Sequence, residues 1–152
     1  MSAPDSLAFQ LPLTQGYRHL AALLVEDHCE TSETLHCALE QMRIYAVVAH
    51  DGETALKIAG AMRFNLVILD VLLPCINGFE TYRALRNLPE VRDVPVLFMG
   101  ATSAAQSRSA ALGTHYLCKP FGLPEFQARV EQILIAETQR QAREQDGPMG
   151  QY

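Results

Sequence analysis

The segment that most constrains this chain is Asn65–Asp70 (NLVILD), an unbroken aliphatic run that stops on an acid. A run this short, rich in branched residues, reads as a strand buried on both faces rather than as a helix. Four other segments read the same way: His19–Val25 (HLAALLV), ending at Glu26-Asp27; Ile44–Ala49 (IYAVVA); Val94–Met99 (VPVLFM); and Tyr116–Cys118, followed by Lys119-Pro120. Between them, apolar residues fall at helical spacing. They are Leu35, Ala38, Leu39 and Met42 within Cys29–Met42, and Ala55, Leu56, Ala59 and Met62 within Thr54–Met62, after a turn at Asp51-Gly52. Pro74–Gly78 breaks the pattern before a helix over Phe79–Leu88, and the Ala/Ser-rich Ala101–Leu112 predicts a short helix. A last helix starts near Leu123 and places Phe126, Val130, Ile133 and Leu134 on one face.

Five strands alternating with five helices imply an α/β fold, a parallel sheet wound on both faces, because parallel strands need long crossovers of one hand. The common five-stranded order, 2-1-3-4-5, is the expected one. With 152 residues the chain suits one domain. Residues 1–18 read as an N-terminal extension, 19–136 as the domain, and 137–152 as a polar, frayed tail.

A net charge of −5 without any basic stripe argues against a nucleic-acid binder. The apolar runs are too short to cross a membrane, and Met1–Leu13 lacks the basic start and apolar stretch of a secretory signal. A cytoplasmic location is the expectation. Cys29, Cys37, Cys75 and Cys118 show no metal-site spacing and read as free thiols.

The functional signal lies at the strand ends. Ligands of open parallel sheets bind outside the carboxyl ends of the strands, and there this chain carries Glu26 and Asp27, Asp70, and Lys119. In the expected order the first and third strands are neighbours, about 4.8 Å apart. Their three carboxylates then converge and repel, which calls for protonation, a cation, or both. Magnesium takes oxygen ligands and commonly joins one or two carboxylates to a phosphate. With a lysine opposite, the cluster is suited to a phosphoryl group.

At these residues the sequence resembles the response-regulator receiver domains of two-component signalling, over about His19–Leu134. LLVED (Leu23–Asp27), Asp51-Gly52, VILDVLLPCINGFE (Val67–Glu80), VPVLFMGA (Val94–Ala101) and YLCKPF (Tyr116–Phe121) match the family's blocks in order. The resemblance implies a flavodoxin-like (CheY-like) fold and phosphorylation of Asp70 by the phosphohistidine of a sensor kinase or phosphotransfer protein. It further implies Mg2+ held by Asp70, Asp27, the Leu72 carbonyl and, through water, Glu26; Lys119 paired with a phosphoryl oxygen; and a cis bond before Pro120. Such a chain is not an enzyme beyond its own phosphorylation and dephosphorylation, and it signals through a downstream protein partner or a second copy of itself.

The switch positions of the family are Gly100, Ala101 and Tyr116 here, and Gly100 stands where Ser or Thr is usual. Arg43 and Cys75 stand where glycine is common. Two alternatives stay open: an interaction module that works without phosphate, which Gly100 favours, and a phosphohydrolase with an Asp nucleophile, which would want a second acid at Leu72.

Overall fold

The computed structural model describes residues 20–146. The strands are β1 (Leu20–Val25), β2 (Ile44–Ala49), β3 (Leu66–Asp70), β4 (Val96–Gly100) and β5 (His115–Cys118). They alternate with helices α1 (Cys29–Gln41), α2 (Gly52–Ala61), α3 (Gly78–Leu85), α4 (Ser103–Ala111) and α5 (Leu123–Gln145). All strand pairs are parallel, in the order β2-β1-β3-β4-β5. Fold class and strand order agree with the expectation from the sequence.

The two-residue period of the strands divides the core. Ala22, Leu24, Leu66, Ile68, Leu97, Met99 and Leu117 meet Leu35, Ala38, Leu39 and Met42 of α1 and Phe126, Val130, Ile133 and Leu134 of α5. Leu23, Val25, Val67, Leu69, Val96 and Phe98 meet the helices of the other face, through residues such as Ala55, Ala59, Phe79, Leu85 and Ala105. Since successive side chains point to opposite faces, the continuous apolar strands satisfy both layers at once.

Most helix starts are capped by side chains. Asp51 accepts from the Thr54 N–H at 2.7 Å and Thr102 from the Ala105 N–H at 3.0 Å, while Asn77 and Glu80 form a reciprocal capping box. Asp51-Gly52, expected as a turn, is therefore the cap and first residue of α2. His28 caps α1 through its ring nitrogen.

Two expectations are corrected. The C-terminal segment is not a frayed tail from residue 137, because α5 continues to Gln145. Its residues are good helix formers with almost no apolar face, and Arg140 pairs with Glu137 and Glu144 one turn to either side. Gly100 does not follow the fourth strand but ends it, and β4 begins at Val96 rather than Val94. The extension at 1–18 and the first residue of the first expected strand, His19, lie outside the described residues.

Arg43 and Cys75 both have positive φ, 63° and 68°. Left-handed geometry costs a side-chain-bearing residue about 1–2 kcal/mol, less the extra chain entropy that a glycine loses on folding. Arg43→Gly is expected to stabilise the protein by about 0.5–1 kcal/mol in urea unfolding. Unchanged or lower stability would mean that the arginine side chain offsets its own strain.

Candidate functional site

The register brings the acids together. Val25 pairs with Leu69, and continuing one residue sets Glu26 opposite Asp70. Carboxylate oxygens of Glu26, Asp27 and Asp70 lie within 4.8 Å of one another. Glu26 and Asp70 are buried, 1% and 3% exposed, while Asp27 faces solvent. Lys119 follows β5, and its N–H donates to the Gly100 carbonyl at 2.7 Å. Its ammonium donates to Asp70 Oδ2 at 3.0 Å and lies 3.6 Å from Glu26 Oε1. The Lys119–Pro120 peptide bond is cis, as the resemblance implied.

Asp70 is held from two sides, since Oδ1 accepts the Leu72 N–H at 3.1 Å. The loop beyond Leu72 returns to its origin, where the Gly78 N–H donates to the Val71 carbonyl at 2.9 Å. A Cβ at Gly78 would stand 2.2 Å from the Asp70 carbonyl oxygen, so only glycine allows this closure and lets α3 start against the site. Leu72, by contrast, projects its side chain into solvent, 77% exposed.

Burial and the charge of Asp70 push the Glu26 carboxyl up to about 7, against the hydrogen bond from His28 N–H and the charge of Lys119. Burial works against the Lys119 ammonium, but its hydrogen bond to Asp70 and the charges of Asp70 and Glu26 outweigh it and hold the pKa above the usual lysine value. One cation thus faces three carboxylates.

A divalent cation fits what remains. Glu26 Oε1 is buried without a hydrogen-bond partner, and an orphaned carboxylate oxygen beside two more carboxylates is the donor set that a hard cation takes. Glu26, Asp27, Asp70 and Lys119, selected in the sequence, are brought to one point. Gly100 and Tyr116 adjoin it on the other face of the sheet.

His50 was not singled out from the sequence. It follows β2 as Glu26 follows β1, and its Nδ1 lies 3.0 Å from the Glu26 carbonyl oxygen. The strand-end criterion that picked the acids, applied to β2, would have found it. His28 enters through its backbone N–H and its cap, not through its charge. The four cysteines are free and exposed, in agreement with the sequence reading.

Among the described residues no helix is long and apolar enough to cross a membrane. The chain is 32% identical over 125 residues to the uncharacterized transcriptional regulatory protein YcbL of Bacillus subtilis, covering 80% of this chain and 54% of that protein. It is 35% identical over 115 residues to the probable transcriptional regulatory protein SilR of Salmonella typhimurium, covering 74% and 50%. The chain spans about half the length of these curated relatives. Among solved structures it is similar to the Vibrio cholerae chemotaxis protein CheY4, with a TM-score of 0.72 and 26% identity over 77% of this chain and all of that one. It is also similar to the receiver domain of a Pseudomonas aeruginosa sensor histidine kinase, solved with magnesium coordinated in its active-site cleft. There the TM-score is 0.68 and the identity 27%, over 78% of this chain and 99% of that one. The family described as the response regulator receiver domain matches residues 22–131, the stretch that carries every strand and the acidic cluster. The chain belongs to the response regulator receiver domain family.

Proposed function

We propose that this receiver accepts a phosphoryl group on Asp70 from the phosphohistidine of a sensor kinase or phosphotransfer protein, in a magnesium-dependent reaction. The observation that carries it is the pairing of buried Asp70 with Lys119 at 3.0 Å, inside a cluster of three carboxylates. Asp70 Oδ2, now facing the ammonium, is the oxygen poised for attack. It bonds to phosphorus as the phosphorus–nitrogen bond of the donor breaks, and the departing imidazole keeps the electron pair and takes a proton. The Leu72 N–H holds the other oxygen and fixes the carboxylate plane. Lys119 then pairs with a phosphoryl oxygen. Glu26, Asp27 and Asp70, with the Leu72 carbonyl, would hold Mg2+, which when bound supplies charge neutralisation for the phosphoryl oxygens.

What the phosphoryl group can drive is reduced at Gly100. A hydroxyl there would give a hydrogen bond to a charged group, roughly 1.5–3 kcal/mol. Inverting a two-state equilibrium from 1:99 to 99:1 takes about 5.5 kcal/mol. The nearby hydroxyl of Thr102 is occupied, since it caps α4. Phosphorylation therefore stands with a weakened switch, and the chain acts on a protein partner rather than on nucleic acid, consistent with its charge of −5. Gly100 also favours a second reading, an interaction module whose binding does not depend on phosphate.

Incubation with Mg2+ and acetyl phosphate, followed by intact mass, tests the first reading. The expected result is a gain of one phosphoryl group that Asp70→Asn abolishes. No gain in folded protein at any donor concentration overturns it and leaves the phosphate-independent module.

A further inference from the structure

Gly100 and Tyr116 form a unit that phosphoryl transfer does not use. In the β4–β5 pairing, Phe98 stands opposite Tyr116 and Gly100 opposite Cys118. Positions 100 and 116 are thus diagonal neighbours on one face of the sheet, within reach of an aromatic side chain. Tyr116 takes up that reach. Its ring packs against the core cluster of Phe98 and Phe79, and its hydroxyl donates to the Thr102 carbonyl at 3.3 Å.

The space the ring occupies is the space a side chain at position 100 would need. A Cβ there would stand 2.6 Å from the Tyr116 hydroxyl oxygen and 3.2 Å from its Cε1. On the other side Val71 Cγ2 would be 3.1 Å away, so the added atom has no free direction. Of the two neighbours, Tyr116 can yield, by turning about its χ1 toward solvent; the branched Val71 is fixed at the end of β3. An inward Tyr116 and any side chain at position 100 exclude each other.

The segment between them is pinned. Thr102 caps α4 with its hydroxyl and receives Tyr116 on its carbonyl, while the Gly100 carbonyl accepts from Lys119 N–H. A ligand shifts a conformational equilibrium only by contacts that differ between the two states. Position 100 offers no hydroxyl that could make such a contact.

We propose that Gly100 is a positioning residue that seats the Tyr116 ring inward, so that the surface beside β5 keeps one conformation whether or not Asp70 carries a phosphoryl group. This rests on the proposed function in naming the regulation of the same site. The receiver then presents this face constitutively, and phosphorylation acts elsewhere, at the acidic cluster itself.

The test is 19F NMR of the full chain labelled with 3-fluorotyrosine, with the Tyr116 resonance assigned by its loss in Tyr116→Phe. Exposure is read from the change in shift between H2O and D2O. In the unmodified protein Tyr116 gives one resonance with the small isotope shift of a shielded ring. Acetyl phosphate and Mg2+ leave that isotope shift unchanged while intact mass shows the phosphoryl group. Gly100→Ser and Gly100→Thr raise it toward the value of free tyrosine before any donor is added. Should neither fold, Gly100→Ala adds only the Cβ and makes the same demand. A solvent-exposed Tyr116 in the unmodified protein, or an isotope shift unchanged by a side chain at position 100, overturns the proposal. So does a change in exposure on phosphorylation. Absence of phosphoryl uptake would fail the proposed function alone, because the Gly100 variants judge the positioning role without any donor.

Discussion

Replacing Glu26 by Gln is expected to stabilise the metal-free protein at pH 8 by up to about 3 kcal/mol and to abolish most of its stabilisation by magnesium. The two effects have one cause. Glu26 is almost fully buried beside Asp70, and burial with that charge raises its carboxyl from 4.5 to about 7. Between those values the folded protein keeps a proton that the unfolded chain has lost, so stability falls as pH rises through the window. The contribution is fully present below 4.5 and gone above about 7. Glutamine keeps the shape and stays neutral, so the loss does not occur. Urea unfolding with a chelator, at pH 5 and at pH 8, reads the difference directly: the variant exceeds the unmodified protein at pH 8, and the gap narrows at pH 5. Added Mg2+ then raises the midpoint of the unmodified protein with concentration, as a ligand of the folded state must, and raises that of the variant far less. A variant less stable at pH 8 without metal would show that Lys119 alone, 3.6 Å away, satisfies the Glu26 charge.

The legibility of this molecule from its sequence follows from what period-two and period-3.6 patterns record. NLVILD and HLAALLV are apolar at every position because both faces of β3 and β1 are covered, and that property also requires helices on two sides. The strand order then sets Glu26 against Asp70, so the acidic site was legible once the topology was. What the patterns do not record is shape. Nothing in the sequence shows that the hydrogen atom of Gly100 is replaced in space by the ring of Tyr116, since that contact joins two strands diagonally. Nor does hydrophobic spacing show that α5 runs to Gln145, where intrahelical ion pairs and propensity take over from burial. Left-handed geometry at Arg43 and Cys75 was legible only through the resemblance, from glycines that this chain lacks.

Truncating Phe98 to Ala is expected to cost about 3–5 kcal/mol, a large part of the 5–15 kcal/mol that typically holds a domain folded. Phe98 is fully buried at the centre of β4, with ring centroids 4.6 Å from Phe79 and 5.5 Å from Tyr82, both on α3. The guanidinium of Arg108 on α4 covers Phe79 in turn, 4.4 Å from its ring centre. Removing one ring therefore loosens two helices, and neither can collapse into the space while the strands fix their spacing. Phe126→Ala, in the core of the opposite face, is the control: it carries a similar cost but leaves α3 in place. The site separates the two variants. The start of α3 closes the loop behind Asp70 through Gly78, so loosening α3 frees the carboxylate that Leu72 N–H orients. At equal folded fraction, Phe98→Ala should take up phosphoryl groups from acetyl phosphate several-fold more slowly than Phe126→Ala. Equal rates, with both variants destabilised in urea, would mean that the loop holds Asp70 without help from the helix behind it.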